Sequence, residues 1–226
     1  MLCRQCHFRS TCIPSSASDR ELPAFERSVR QFKLFQNEIL VHEGDQFECY
    51  FAIREGMLKG CVTSNSGHES VSRFAYPGEI VGLGATSGRW PKTLTAIEDV
   101  RLCRIPVESV NTPTFRRRLI KLTADRLRDI YDFQLTLTSA FTRSRRLAWF
   151  LMNAEHHLAP SASDGTFRLP MSQRDIGSFL ALSTESINRA FRDLETRGLI
   201  QHHRKEVRLL RRAHLLALAH NEDLAC

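Results

Sequence analysis

Two sets of residues in this chain have the types and spacing to do chemistry. At the N-terminus, Cys3-x2-Cys6-x5-Cys12 places three thiols within ten residues. Thiolates are soft donors that hold iron–sulfur clusters and zinc, and they also form reversible oxidation switches. Near the other end, Glu185, Asn188, Arg189 and Arg192 fall at three- and four-residue separations. On a helix that spacing gathers them on one face. Arg donates twice to guanine, Asn bonds adenine bidentately and Glu accepts from cytosine, so such a face reads the DNA major groove. An ordinary solvated helix with a Glu185–Arg189 ion pair uses the same residues, and the rest of the chain decides between the two.

Four thiolates are the usual ligand set of a [4Fe–4S] cluster. The arm supplies three, so a fourth donor has to come from elsewhere. By chemistry alone Cys49, Cys61, Cys103, Cys226 or His7 qualifies. A structural zinc site uses the same residue types, although the x5 interval is longer than the paired spacing of zinc knuckles. A thiol switch needs no metal at all. Arg4 and Arg9 stand beside the thiols and are expected to stabilise thiolates in each case. Seven cysteines are many for a chain whose start, MLCRQCHFRS, is no signal peptide, because stable disulfides are rare in the cytoplasm.

The DNA-reading residues need a helix to carry them, and LPMSQRDIGSFLALSTESINRAFRDLETRGLI, residues 169–200, predicts two helices joined by a tight turn. Ser172 caps the first, which runs to about Leu180 and buries Ile176 and Leu180. Ser183 caps the second, from Thr184 to Arg197, and Gly198 ends it. Ile187, Phe191 and Leu194 lie at i, i+4 and i+7 and form its buried stripe, so Glu185, Asn188, Arg189 and Arg192 face solvent. Ser172 and Ser183 complete the candidate set of DNA contacts. Phe167–Leu169 reads as a short strand before this unit. After it, Leu199–Gln201 and Glu206–Leu209, separated by His202–Lys205, read as a two-stranded wing, followed by an amphipathic segment from Arg212 to Ala219.

The rest of the chain divides around that unit. A short helix is expected from Ser18 or Asp19 to Arg30, buried through Leu22, Phe25 and Val29. From Lys33 to Pro106, short β-type runs alternate with turns, and glycines 44, 56, 67 and 78 recur at near-regular intervals, which predicts a compact antiparallel roll. Residues 114–139 contain no Gly or Pro, and Phe115, Leu119, Leu122, Leu127, Ile130 and Leu137 form an imperfect helical stripe. A helix of that length spans about 39 Å, so part of the stripe is expected to meet a second copy of itself. Asp125, Asp129 and Asp132 would then repel their counterparts across the two-fold axis. A further helix, Thr142 to Leu158, turns Leu147, Phe150, Leu151 and Ala154 inward. The fold class is α+β in four segments. These are a candidate iron–sulfur ligand arm (1–17), a jelly-roll-like β-roll (18–112), a dimerisation helix (113–140) and a winged helix-turn-helix (141–226).

Charge supports a polyanionic partner for the second half. The formal charge is +7, yet basic and acidic residues balance over residues 1–112, so the whole excess falls on residues 113–226. No apolar run approaches the roughly 18 residues of a membrane span, and a cytoplasmic location without membrane contact is expected. Gly82-Leu83-Gly84-Ala85-Thr86-Ser87-Gly88 loosely matches a dinucleotide fingerprint but leads into no helix. His156-His157 and His202-His203 are adjacent pairs that cannot share a helix face, and the second suits a wing tip near phosphates. No Ser/His/Asp or paired-carboxylate arrangement stands out, so no enzyme activity is expected.

Roll, long helix and winged helix-turn-helix, in that order, resemble the cyclic-AMP receptor and FNR superfamily of bacterial transcription factors across nearly the whole chain. Cys3-x2-Cys6-x5-Cys12 followed by Ile13-Pro14 is similar to the cluster arm of the oxygen-sensing FNR branch. Ala52–Gly56, Pro77–Gly82 and Leu102–Pro106 resemble successive pieces of its roll, and Met171–Arg189 resembles its DNA-binding unit. The resemblance implies one [4Fe–4S] cluster per monomer, held by Cys3, Cys6, Cys12 and, in the position of the family's fourth ligand just before Ile105-Pro106, Cys103. It implies an oxygen-responsive homodimer that binds palindromic DNA while the cluster is intact, with two reading helices about 34 Å apart, and that controls anaerobic gene expression. It also implies contact with RNA polymerase through roll loops around Ser64–Glu69 and Phe74–Glu79. Cyclic-nucleotide binders of the superfamily place a Glu and an Arg-Ser or Arg-Thr pair on the phosphate. Lys92-Thr93 is the only approximation here, so no cyclic nucleotide is expected. A superfamily regulator switched by thiol oxidation, zinc or a small ligand is the alternative. One departure stands out: the family order Glu-x-x-Ser-Arg becomes Glu185-Ser186-Ile187-Asn188-Arg189, so Asn188 is expected to shift preference at one base, for example toward adenine.

Overall fold

Alternation along the strands decides the architecture of the first half, in a computed structural model that describes residues 3–85, 87–138, 142–158 and 165–220. Helix α1 (Leu22–Ser28) leads into strands β1 (Arg30–Leu34), β2 (Ile39–Val41), β3 (Cys49–Glu55), β4 (Leu58–Thr63), β5 (Glu69–Ala75), β6 (Ile80–Val81), β7 (Thr93–Ala96) and β8 (Val100–Pro106). They form two antiparallel sheets, ordered β1-β8-β3-β6 and β2-β7-β4-β5. Phe51 and Ile53 of β3 and Val100 and Leu102 of β8 point between the sheets, where they pack with Leu58, Trp90 and Leu94. Phe47 and Phe51 meet the Trp90 ring at centroid distances of 5.3 and 5.8 Å, which fixes the middle of that core.

The opposite phase of the same two strands carries the site. Ala52 of β3 and Cys103 and Ile105 of β8 face outward, into a second apolar cluster with Ile13, Phe25 and Phe115. A strand alternates with period two, so a residue next to buried Leu102 must face the other way. Cys103 sits in a central strand, opposite Gln31 of β1 and Ala52 of β3.

Helix α1 is shorter than expected. Ser18 and Glu21 do form a reciprocal cap, with Ser18 N–H and Oγ–H donating to Glu21 Oε2 at 3.1 and 2.8 Å and Glu21 N–H donating to Ser18 Oγ at 3.3 Å. The helix ends because Val29 adopts an extended backbone (φ −78°, ψ 135°) and feeds β1, which starts at Arg30 rather than Lys33.

Helix α2 (Pro113–Thr138) is continuous, and the division of the chain into two compact units, Met1–Asp129 and Ile130–Cys226, falls inside it rather than at its ends. Phe115 is buried and Leu119 and Leu122 are half-buried, while Ile120, Leu127 and Tyr131 are 70%, 64% and 61% exposed. At 100° per residue these three share one face, and Asp125, Asp129 and Asp132 lie about 120–180° around the helix from it. The expected repulsion between the aspartates would therefore need a two-fold axis on another face of the helix.

The second unit adds α3 (Arg143–Leu158), β9 (Thr166–Arg168), α4 (Gln173–Phe179), α5 (Thr184–Thr196), β10 (Ile200–His203), β11 (Glu206–Leu209) and α6 (Arg212–His220). Leu147, Phe150, Leu151 and Ala154 of α3 are buried, as their spacing predicts. Phe133, in the last turns of α2, stacks on Phe179 with parallel rings 4.3 Å apart. The wing has one strand more than expected, because β9 pairs with β11 in the order β10-β11-β9.

Candidate cysteine site and DNA-reading surface

The arm is built from tight turns rather than regular structure. Cys6 N–H donates to the Cys3 carbonyl at 3.1 Å, Arg9 N–H to Cys6 at 3.1 Å and Cys12 N–H to Phe8 at 2.9 Å, which folds the three cysteines toward one side. Ile13 and Pro14 are buried beneath it and anchor its end. Phe8 lies flat over Gly78, where an added Cβ would stand only 2.7 Å from the ring, so glycine is required for the arm to dock. Arg118 of α2 completes the seat by donating to the carbonyls of Ser10, Thr11 and Cys12.

Cys3, Cys6, Cys12 and Cys103 all line one small pocket open to solvent, walled by Phe8, Pro14, Phe25, Ala52 and Ile105. The other candidate donors lie elsewhere. Cys49 and Cys61 are buried away from the cavity, His7 is exposed with its ring against Phe8, and Cys226 lies outside the described residues. Among the described residues no three His, Cys, Asp or Glu side chains converge closely enough to hold a single ion. The four thiols ring a space instead.

The electrostatics of the cavity differ from the expectation. Burial pushes the Cys3 thiol up to about 11, helped by Cys103, Glu26 and Cys6, and the lowering effect of Arg9 is the smallest influence. Burial likewise pushes Cys12 up to about 12; a hydrogen bond from the Ile13 backbone opposes it, and the neighbouring thiols Cys3, Cys103 and Cys6 add to it. Cys103 is raised by burial and by Cys6, against the pull of Arg54. Arg9 stabilises the Cys3 thiolate in the expected direction, but desolvation outweighs it, and Arg4 is not among the main influences on Cys3, Cys12 or Cys103.

At the other site, Ser172 and Ser183 are spent on capping. Each Oγ accepts from a backbone N–H three residues on, Asp175 at 3.0 Å and Ser186 at 3.1 Å. The turn between α4 and α5 passes through Ala181 in the left-handed region (φ 53°), and Leu182 N–H closes onto the Gly177 carbonyl at 2.8 Å. Ile187, Ala190, Phe191 and Leu194 form the buried stripe of α5, leaving Glu185, Arg189 and Arg192 exposed and Asn188 half-buried. The Glu185–Arg189 ion pair does form, at 2.5 Å, with both side chains mostly in solvent. A pair so exposed is worth little, and both ends remain free to turn to another partner. His202 of the wing stacks on Phe191 at 4.3 Å, which joins the wing to the back of the reading helix.

Two further points depart from the sequence reading. Residues Ser64–Glu69 are an exposed hairpin loop, but Phe74 and Tyr76 are buried and Glu79 is paired with Arg73 at 2.6 Å, so little of Phe74–Glu79 is available to a partner. Arg118 and Phe8 were not among the candidate residues. Arg118 is one of three consecutive arginines, and its signal is phase: it stands at i+3 from Phe115 and i−4 from Leu122, on the stripe that faces inward.

Comparison with known proteins assigns both halves. Residues 31–112 match a cyclic nucleotide-binding domain and residues 145–218 a Crp-like helix-turn-helix domain. The chain is 34% identical over 225 residues to the transcriptional activator protein FnrA of Stutzerimonas stutzeri, covering 96% of this chain and 92% of that protein. It is 28% identical over 232 residues to the fumarate and nitrate reduction regulatory protein of Salmonella typhi, covering 99% and 92%. Among solved structures, FixK2 from Bradyrhizobium japonicum superposes with a TM-score of 0.77 at 27% identity, covering 88% of this chain and 98% of that one.

Proposed function

The chain belongs to the FNR/Anr family of Crp-like transcription regulators, which are DNA-binding proteins and not enzymes, and from that premise we propose that it is a cytoplasmic, oxygen-responsive member carrying one [4Fe–4S] cluster. The observation that carries the proposal is the convergence of Cys3, Cys6, Cys12 and Cys103 on one cavity, with every other candidate donor among the described residues outside it. Four cysteine thiolates can hold either zinc or a [4Fe–4S] cluster, and the arm's resemblance to the FNR branch supports the cluster. When bound, the cluster would tie the arm to β8 and supply oxygen-labile chemistry. The chain's own contribution is a largely apolar pocket, a turn-built arm docked over Gly78, and a fourth ligand fixed in a central strand.

The regulator with its four cysteines ligated binds palindromic DNA as a homodimer through the exposed stripe of α2, and with free thiols it binds weakly. Glu185 and Arg189 read the base edges, Asn188 tunes preference at one position, and Arg192 adds to the same surface, while Ser172 and Ser183 hold the two helix N-termini near the phosphates. Contact with RNA polymerase falls to the exposed loop Ser64–Glu69. No helix among the described residues is long and apolar enough to cross a membrane. Control of anaerobic genes follows from this switch without any cyclic nucleotide.

The test is purification without oxygen, followed by iron and acid-labile sulfide assay and a visible spectrum before and after air. About four iron and four sulfide per chain, with a broad band near 400–420 nm that bleaches, are expected. Cys103→Ala should lose the band, while Cys49→Ala and Cys61→Ala should keep it. A colourless protein holding zinc, or no metal, would replace the cluster with a zinc or thiol switch on the same DNA-binding frame.

A further inference from the structure

The cysteine arm has little of its own to hold it in place. It has no strand partner, and its internal hydrogen bonds are those of successive tight turns. Arg118 reaches it from α2, more than a hundred residues away in sequence. Its Nε donates to the Cys12 carbonyl at 3.2 Å, and its Nη2 donates to the Thr11 and Ser10 carbonyls at 2.6 and 3.3 Å. The Cys12 carbonyl also accepts the Ser15 N–H at 3.2 Å, so the Ser10 and Thr11 carbonyls are the acceptors that depend most on Arg118. A planar guanidinium carries several donors in a fixed fork and meets them together; a lysine ammonium is a single point charge and does so less well. Around the bonds, Phe115, Leu119 and Leu122 of the same helix pack in the cluster that includes Cys3, Cys12 and Ile13.

We propose that Arg118 is the positioning residue that seats the cysteine arm on α2, holding the Ser10–Cys12 backbone so that the Cys12 thiol lines the cavity with Cys103. Arg118 thereby couples the arm's conformation to the first turns of α2, alongside the apolar contacts of Phe115, Leu119 and Leu122. Only the regulatory consequence depends on the proposed cluster; the seating belongs to the metal-free chain, and failure of one leaves the other standing. Arg118 touches three main-chain oxygens and no thiol, so its loss unseats the arm without removing a ligand.

The experiment is site-resolved alkylation by iodoacetamide of the full-length, metal-free protein at one fixed pH, read by mass spectrometry. Arg118→Gln should accelerate labelling of Cys12 and Cys3 by on the order of tenfold or more, the factor that loss of one charge-assisted hydrogen bond commands. Buried Cys49 and Cys61 report on the roll core, and their labelling should not change. Arg118→Lys should fall between, and Arg117→Gln, on an exposed neighbour, should match the wild type. Coupling being reciprocal, alkylation of the wild-type arm should raise amide hydrogen exchange in residues 116–122, and in Arg118→Gln that exchange should already be raised before labelling. Unchanged Cys12 labelling in Arg118→Gln would overturn the proposal. So would acceleration at Cys49 and Cys61 in step with Cys12, which would mean general loosening.

Discussion

Burial keeps the arm's thiols protonated in the metal-free protein, with Cys3 pushed up to about 11 and Cys12 to about 12 from an ordinary 9.0. A raised pKa in the folded state favours the neutral form, so its contribution to stability is complete below about pH 9 and is lost as pH climbs through 9 toward 11–12. The metal-free protein should therefore lose thermal stability across that window, and Cys12→Ala should lose less of it. A wild-type and variant curve of Tm against pH that run parallel would contradict this. If the four thiols take the proposed cluster, loading must displace these protons, so it should strengthen as pH rises. At the other site, Arg189 is exposed and paired only with Glu185, so Arg189→Ala removes a reader without leaving a buried charge. Its half-site affinity should fall by about 5- to 150-fold, the roughly 1–3 kcal/mol of a bidentate base contact, with the salt dependence nearly unchanged. Asn188→Ser should change preference at one base pair and no other, which binding-site selection reads directly.

Between residues and molecule lie the elements, and two glycines of the reading unit separate two kinds of constraint. Gly177 has an ordinary φ, but an added Cβ would stand 2.8 Å from the Leu182 carbonyl and 3.3 Å from Ile187, so the α4–α5 crossing would have to open. Gly198 ends α5 at φ 63° with open space around it, so its cost in any other residue is conformational alone. Gly177→Ala should cost about 1–3 kcal/mol, by overpacking, and Gly198→Ala about 1 kcal/mol. Amide hydrogen exchange in α4 and α5 measures both; equal protection loss would show that the crossing yields more easily than its backbone contact implies. The same unit shows what a sequence can disclose. Ser172, Ser183, Gly198 and the Ile187-Phe191-Leu194 stripe were legible because caps and periodicity are local rules. Phe167–Leu169 was legible as a short strand, but its place in the wing was not, because three residues carry no period and β9 joins the wing by pairing with β11. The early end of α1 was set by the demand of β1 for an extended Val29, and Cys103 was singled out only through the family resemblance, because its place follows from the pairing of β8 with β1 and β3. Arg118 was hidden among three arginines, since its role depends on where the helix lies and not on what the helix contains.

For the molecule as a whole, the question is what makes two chains one DNA-binding unit. Ile120, Leu127 and Tyr131 put a stripe on α2 that is 61–70% exposed in the single chain, with the acidic residues of the helix turned away from it. The aspartates lie off this stripe, whereas the exposed Arg116, four residues before Ile120, shares its face. The proposed regulation enters at the root of the helix, where Phe115, Leu119 and Leu122 meet the arm. Leu127→Glu places like charges across the proposed two-fold axis and should yield monomers by sedimentation, with affinity for a palindromic site lowered by on the order of 100-fold or more as the second reading helix ceases to be tethered. Asp125→Ala and Asp129→Ala should leave the association constant within about twofold, since exposed charges off the interface contribute little. Dimers that persist in Leu127→Glu would place the association on another surface. A marked tightening in the aspartate variants would instead return those side chains to the interface.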